Sequence, residues 1–251
     1  MLGIIVTSYS ALPNCIHHDL MLSALDKDNF KSIFLTTWED KDFIQELSKN
    51  LKTPIAYLHG ENGEVLNPGH HDGVYYMCAS VVDEFKDCDY ILHFHADNFI
   101  RDGIETIKKT YEYAKQNNIK VIGLPRQWLF DDDLKVNDKS IPFHFEFCMM
   151  EYNVWKNAFD LNRLNEYKQL ALNNGHPSQQ FEPCLYHGLV SNNININKDI
   201  YYLESIKELK ERFGNEPVYY NFFFKNSGIF HYDETSLKHT NYTNTFRPWI
   251  M

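Results

Sequence analysis

The first half of the chain alternates short apolar runs with amphipathic stretches. The apolar runs have the length and continuity of buried strands, and they fall at 2–7, 32–37, 54–58, 90–95 and 120–124. Apolar residues at helical spacing predict helices between them, at 18–25, 41–51, 73–85 and 102–116. Strands that are apolar on both faces and alternate with helices are typical of a parallel sheet covered on both sides. The pattern therefore predicts an α/β fold with a mostly parallel central sheet.

The second half is less regular. It contains a candidate long strand at 142–154, a helix at 161–173, a short charged helix at 205–213 and a loop at 192–197. Neither an internal repeat nor a low-complexity linker separates the two halves. We therefore expect a single domain over 1–251.

Composition narrows the classes of partner. The chain of 251 residues has 43% hydrophobic content, which suffices for the core of one large α/β domain. With 24 Lys and Arg against 34 Asp and Glu, the formal charge of −10 disfavours nucleic acid as a partner. The same balance suits a protein that holds an anionic ligand through a divalent cation.

Five widely spaced cysteines without a Cys-x-x-Cys motif indicate reduced thiols rather than a disulfide framework or a zinc ribbon.

The amino terminus runs from Met1 directly into an apolar strand, without the charged start and cleavage site of a signal peptide. No apolar run approaches the length of about 18 residues that a membrane-spanning helix requires. We expect a cytoplasmic protein with no transmembrane segment.

The run ILHFHADNFI at 91–100 places polar side chains at alternate positions of a buried strand. Alternate residues of a strand face the same side, so His93, His95 and Asp97 share a face. At the end of the strand His95 and Asp97 can converge on one cation. His93 lies two residues deeper and is expected to be a hydrogen-bonded core histidine, while Asp97 has the alternative of capping the following helix.

The run DYILHFHADN at 89–98 resembles the fourth strand of the GT-A glycosyltransferases, which ends in an Asp-x-Asp motif. The opening IIVTSY at 4–9, the polar strand end at 39–40 and the helix after the Asn-Pro-Gly at 67–69 follow in the family's order. The resemblance covers about residues 1–125. It implies a GT-A type, Rossmann-like α/β/α sandwich whose first half, 1–125, binds a nucleotide-diphosphate sugar and whose second half, 126–251, binds the acceptor. The implied reaction is the transfer of a hexosyl or similar glycosyl group to a glycan or another hydroxyl-bearing acceptor.

The resemblance also implies a divalent metal. Asp97 keeps the position of the second motif aspartate, the direct ligand in family 2-like members, but His95 replaces the first and Asn98 stands where a further acid often follows. Because imidazole suits Mn²⁺ better than Mg²⁺, the expected cofactor is Mn²⁺, with Mg²⁺ second. A carboxy-terminal histidine often completes such a site, and His231 matches best, with His239 the second choice.

By the same resemblance a further group of residues would contact the nucleotide, its base and the sugar: Thr7, Ser8 and Tyr9 for the nucleotide, Glu39 or Asp40 for the base, and Asp72 for the ribose or sugar. In an inverting enzyme, Glu182 would take the proton from the acceptor hydroxyl, with Glu151 and Asp133 as alternatives. Each of these acids has an ordinary structural alternative, such as a helix cap or a turn. The acidic run 131–133 is expected to be a solvated loop, and aromatic residues such as Trp128 are either sugar-stacking or core residues.

Two other enzyme classes compete with a glycosyltransferase. His95, Asp97 and His187, with Arg247 as an anchor, would satisfy the 2-His-1-carboxylate pattern of an iron(II) and 2-oxoglutarate oxygenase. That class is built on a β jelly roll, which the alternating strands and helices argue against. A nucleotidyltransferase has a similar sheet, but its phosphate loop is rich in glycine and carries a basic residue, and SYSALP at 8–13 has neither.

Overall fold

The computed structural model describes residues 1–8, 12–36, 45, 48–57, 70–96, 98–100, 102–136, 138–176, 181–214, 223–224 and 229–231. Within these residues the chain forms one sheet of seven strands and one of three strands. The large sheet consists of β1 (Leu2–Ser8), β2 (Phe30–Thr36), β3 (Ile55–Tyr57), β4 (Tyr90–His95), β6 (Val121–Pro125), β7 (Phe143–Glu151) and β8 (Ile200–Tyr202). The small sheet consists of β5 (Asn98–Ile100), β9 (Phe223–Phe224) and β10 (Ile229–His231).

The order of strands in the large sheet is β3-β2-β1-β4-β7-β6-β8. All neighbours are parallel except those of β7, which runs antiparallel between β4 and β6. The carboxyl ends of β1, β2, β3, β4 and β6 and the first residues of β7 therefore lie at one edge. The predicted α/β fold with a mostly parallel sheet is confirmed.

The helices are α1 (Leu12–Ser23), α2 (His70–Ser80), α3 (Gly103–Gln116), α4 (Tyr152–Ala158), α5 (Leu164–Asn173), α6 (Phe181–Ser191) and α7 (Ile206–Phe213). The sequence predicts α3, α5 and α7 closely, whereas α1 begins six residues before the predicted start at 18. Helix α7 begins after Ser205, whose hydroxyl accepts a hydrogen bond from the backbone N–H of Glu208 at 3.3 Å. The predicted helix at 41–51 falls mostly outside the described residues.

Sequence reasoning missed α6. Most of its side chains are buried, so it lacks the polar face that makes a helix recognisable from periodicity. The predicted strand at 142–154 is β7, but it ends at Glu151 because the chain turns there into α4.

The core has two parts, one on each face of the large sheet. Along β4, Ile91 packs on one side while Leu92 and Phe94 pack on the other, as strand alternation requires. The first side is covered by α2, α4, α5 and α6 through buried residues including Tyr75, Trp155, Tyr167 and Leu185. The second side is covered by α1, α3 and α7 through buried residues including Cys15, Leu22, Ile107 and Leu209. The arrangement is an α/β/α sandwich.

The cysteines and the character of the helices complete the description of the fold. All five cysteines are buried, and none forms a disulfide. In the part of the chain that the structure describes, no helix combines the length and apolar character that crossing a membrane demands.

Candidate active site

Of the predicted metal and nucleotide residues, Thr7 and His95 are described with their side chains, and both lie at the carboxyl edge of the large sheet. Thr7, near the end of β1, is the register partner of His95, the last residue of β4. Ligands of open α/β sheets bind outside this edge, so the position suits the predicted roles. Thr7 itself is fully buried, and its contact with a nucleotide stays a prediction. Tyr9, Glu39 and Asp40 lie outside the described residues, as do the side chains of Ser8 and Asp72.

His93 connects three strands below this edge. Its Nδ1 lies 2.7 Å from the carbonyl oxygen of Phe145 on β7, and its Nε2 contacts the hydroxyl of Thr7 on β1. Because a carbonyl only accepts, Nδ1 carries the proton and Nε2 accepts the hydroxyl hydrogen. Burial, followed by the neighbouring His95, lowers the pKa of His93 to about 3, so the ring is neutral near pH 7. The predicted core histidine is confirmed.

His95 ends β4 and is partly exposed, with its ring edge-on to that of His93 at a centroid distance of 5.3 Å. The residues on both sides of Asp97 are hydrogen-bonded to the large sheet. The N–H of Ala96 donates to the carbonyl oxygen of Thr7 at 2.8 Å, and Asn98 Nδ2 donates to the carbonyl oxygen of Glu146 at 2.9 Å. Asp97 itself lies outside the described residues.

The small sheet brings a distant segment to the same place. β10 pairs antiparallel with β5, and His231 is the register partner of Asn98. Residues directly opposite in an antiparallel pair have Cα atoms about 4.5 to 5.5 Å apart. The backbone of His231 is therefore adjacent to the residue that follows Asp97. The side chain of His231 and the whole of His239 lie outside the described part of the chain.

Among the described side chains, no group of three or more His, Cys, Asp and Glu residues is placed to hold a metal ion. This statement does not extend to Asp97 or to the side chain of His231. The three predicted ligands therefore stay a prediction. The described residues show only that the backbone of His231 is adjacent to that of Asn98, the residue after Asp97.

Glu182 lies in the first turn of α6, and Arg126 directly follows β6. One carboxylate oxygen of Glu182 lies 3.4 Å from a terminal nitrogen of Arg126. The guanidinium of Arg126 also lies over the ring of Trp128, 5.4 Å from its centroid. These side chains are partly buried, which makes their pair better shielded from water than a surface ion pair. Glu182, from the second half of the chain, thus supplies a carboxylate that an ion pair holds at the edge of the sheet.

Sequence reasoning missed Glu146. Phe94 pairs with Phe147, so the same register continued by one residue sets Glu146 opposite His95. Its carboxylate lies 3.5 Å from Nδ1 of His144, and its side chain is 38% exposed. Burial alone would raise the pKa of Glu146, but His144, with the charges of His95 and Arg126, holds it well below its usual range. Glu146 is therefore an ionised acceptor of hydrogen bonds at the site.

The alternative acids lie elsewhere. Glu151 pairs with Tyr90 at the opposite end of β4, which sets it roughly 17 Å along the strand from the level of His95, at about 3.3 Å per residue. Asp133 is 81% exposed in a turn beside Lys135. Asp131 closes that turn by accepting from the N–H of Lys135 at 2.8 Å. The run 131–133 is a solvated turn, as predicted.

No protein-family model matches the sequence, and no curated protein matches it either. Among solved structures, the chain is similar to an active-site mutant of LgtC, with 12% identity and a TM-score of 0.55 over 92% of this chain and 86% of that one. It is also similar to the galactosyltransferase LgtC in complex with donor and acceptor sugar analogues, with 12% identity, a TM-score of 0.53 and the same coverage. S. aureus TarS gives a TM-score of 0.47 at 12% identity, over 80% of this chain and 57% of that one.

At 12% identity the similarity to LgtC concerns the fold alone. It extends over both halves of the chain and includes the less regular second half. It also agrees with the mostly parallel sheet and the two helical layers described above. The chain therefore has the fold of the GT-A glycosyltransferases.

Proposed function

We propose that the protein is a metal-dependent glycosyltransferase that moves a sugar from a nucleotide-diphosphate sugar to a glycan or another hydroxyl-bearing acceptor. The observation that supports this most is the register of β10 on β5, in which His231 faces Asn98. Two segments more than a hundred residues apart in the chain thus meet at the residue that directly follows the His-x-Asp motif. A neighbourhood of this kind is what a metal site assembled from His95, Asp97 and His231 requires.

The proposed donor set fits Mn²⁺. Two imidazoles and one carboxylate form a mixed nitrogen and oxygen set, which suits Mn²⁺ better than Mg²⁺, since Mg²⁺ prefers oxygen ligands. When bound, the cation would stabilise the negative charge of the nucleoside diphosphate leaving group. In a chain with a net charge of −10, a bound cation is a direct way to supply that positive charge.

The nucleotide would lie at the carboxyl edge between β1 and β4, where the order of strands reverses. In this proposal Thr7, Ser8 and Tyr9 flank the nucleotide, Glu39 or Asp40 accepts hydrogen bonds from the base, and Asp72 reaches the ribose or sugar. The proximity of Thr7 to His95 in the sheet register supports one continuous site for the nucleotide and the metal.

Glu182 is the proposed base. Its carboxylate takes the proton from the acceptor hydroxyl while the hydroxyl oxygen bonds to the anomeric carbon and the bond from that carbon to the diphosphate breaks. Arg126, 3.4 Å away, holds the carboxylate at the edge of the sheet without removing it from the site. This mechanism inverts the configuration at the anomeric carbon.

The competing enzyme classes are less well supported. An iron(II) and 2-oxoglutarate oxygenase requires a jelly roll, and the large sheet is mostly parallel. A nucleotidyltransferase is compatible with a parallel sheet, so ligand binding has to separate it from a glycosyltransferase.

A thermal-shift screen tests the proposal. Wild type, Asp97→Ala and Asp87→Ala are melted with UDP, GDP, CDP and dTDP, each with and without Mn²⁺. A ligand at 100 times its dissociation constant stabilises the folded state by about 2.7 kcal/mol. We expect one diphosphate to raise the unfolding midpoint only with Mn²⁺, in wild type and in the control Asp87→Ala but not in Asp97→Ala. If no diphosphate shifts the midpoint, the proposal is overturned, and a shift with Fe²⁺ and 2-oxoglutarate would favour the oxygenase.

A further inference from the structure

Three hydrogen bonds from three different elements fix the residues on either side of Asp97. The N–H of Ala96 donates to Thr7 O on β1 at 2.8 Å. The carbonyl oxygen of Ala96 accepts from Nε2 of His18 on α1 at 3.0 Å. The third bond runs from Asn98 Nδ2 to the carbonyl oxygen of Glu146 on β7, at 2.9 Å.

His18 is a polar residue in an apolar environment. It is only 1% exposed, and its ring lies edge-on to that of Phe94 at a centroid distance of 5.1 Å. Burying a polar side chain is unfavourable unless it forms hydrogen bonds, so a histidine at this helix position needs a partner such as the carbonyl of Ala96. An apolar residue would fill the same space without holding that carbonyl.

Asn98 is equally buried, at 1% exposure. It stands where the GT-A pattern often has a further acid, and the structure gives a physical reason for the amide. An ionised aspartate has no hydrogen to donate to the carbonyl of Glu146, whereas the asparagine NH₂ group does. Asn98 also lies in β5 opposite His231, so the same residue connects β7 to the β5–β10 pair.

We infer that His18 and Asn98 are positioning residues that fix the backbone on both sides of Asp97 and thereby preorganise the proposed metal ligands. The inference rests on the proposed function, since it assigns these two residues a part in holding the cation. A ligand carried by a fixed backbone loses less conformational entropy when the ion binds. Residues that orient metal ligands from behind typically contribute about 10- to 100-fold to metal affinity.

The test compares wild type with five variants of the full chain, of which Asp97→Ala removes a proposed ligand itself. His18→Leu keeps an apolar side chain of suitable size and removes the donor, whereas His18→Gln retains an N–H donor. Asn98→Asp keeps the shape of the side chain and replaces the donor with an acceptor. His17→Leu is the matched control, because His17 is the neighbouring histidine on the same helix and is exposed.

Mn²⁺ affinity is measured directly, by titration calorimetry and by the electron paramagnetic resonance signal of free Mn²⁺, with no nucleotide present. Unfolding midpoints in EDTA establish that each variant is folded at the temperature of the titration. We expect His18→Leu and Asn98→Asp to bind Mn²⁺ about 10- to 100-fold more weakly than wild type. His18→Gln should restore most of the affinity, and His17→Leu should match wild type.

Two different failures are distinguishable. If wild type binds no Mn²⁺, or if Asp97→Ala binds it equally well, the proposed metal site itself is wrong. If Asp97→Ala loses Mn²⁺ while folded Asn98→Asp and His18→Leu bind it as wild type does, only the positioning role is overturned. Should His18→Leu fail to fold, the Asn98→Asp titration decides the matter alone.

Discussion

The side chain of Asp89, immediately before β4, joins the large sheet to α3 through hydrogen bonds. Its Oδ2 accepts hydrogen bonds from Tyr111 at 2.8 Å, from Lys115 at 3.0 Å and from the amino group of Met1 at 3.0 Å. Burial would raise the pKa of Asp89, but these three partners lower it to about 2, from an ordinary value of 3.8. The ionised form is thus favoured in the folded state.

This shift predicts a pH-dependent contribution to stability. Since the folded pKa is the lower one, the contribution is complete above about pH 4 and is lost as the pH falls towards 2. We expect Asp89→Asn to unfold at a lower temperature than wild type at pH 6, with the difference closing on acidification. Thermal unfolding followed by circular dichroism between pH 6 and pH 2.5 measures it.

Asp87→Asn, at an exposed position two residues earlier, is the control and should leave the midpoint at pH 6 nearly unchanged. A difference between wild type and Asp89→Asn that stays constant over the whole pH range would contradict the assignment.

At the scale of elements, the contact between α4 and α6 depends on the absence of a side chain. Gly188 on α6 is buried against the end of α4, and a Cβ built on it would lie 2.8 Å from the carbonyl oxygen of Ala158. That oxygen belongs to the backbone, so it cannot move aside as the tip of a flexible side chain would. The two helices approach this closely only because residue 188 is glycine.

Gly188→Ala is therefore expected to destabilise the protein, although helix propensity alone would favour alanine by about 1 kcal/mol. Overpacking of a well-packed core typically costs about 1 to 3 kcal/mol, and here it outweighs the gain in propensity. Urea unfolding gives the change in free energy. Val190→Ala, at an exposed position of the same helix, should change it by less than about 0.5 kcal/mol. A Gly188→Ala variant more stable than wild type would show that the helices can separate freely.

At the scale of the whole molecule, the two halves share one sheet. β7, from the second half, lies between β4 and β6, which both come from the first half. A fragment 1–125 would lack the strand that joins β6 to the rest of the sheet, and also α4, α5 and α6, which cover one face. This topology supports the proposed single domain over 1–251.

We accordingly expect fragment 1–125 to show no cooperative thermal transition, whereas the full chain unfolds in one. Circular dichroism and two-dimensional amide NMR of the isolated fragment provide the measurement, with the full chain as reference. Dispersed amide resonances and a sharp transition for the fragment would mean that the first half is a domain by itself.

The order of strands and helices in the first half was accessible from the sequence. Buried parallel strands are continuous apolar runs, and helices such as α3 have one polar face, so local periodicity is sufficient to find them. The same local pattern singled out His95 and Asp97, because alternation along a strand predicts that they share one face. Helix α6 was not predicted, because burial on nearly all sides removes the polar face that periodicity detects.

Tertiary structure alone decided which distant residues meet at the edge of the sheet. Glu146 lies beside His95 because β7 runs antiparallel to β4 in one particular register, and His231 lies beside Asn98 because β10 pairs with β5. Likewise, the bond from His18 to Ala96 depends on how α1 packs against the sheet. Pairing between strands that are far apart in sequence depends on the summed packing of both faces, which no local pattern of residues encodes. The sequence thus determined the elements and the strand that carries the motif, whereas the fold determined the neighbours of that motif.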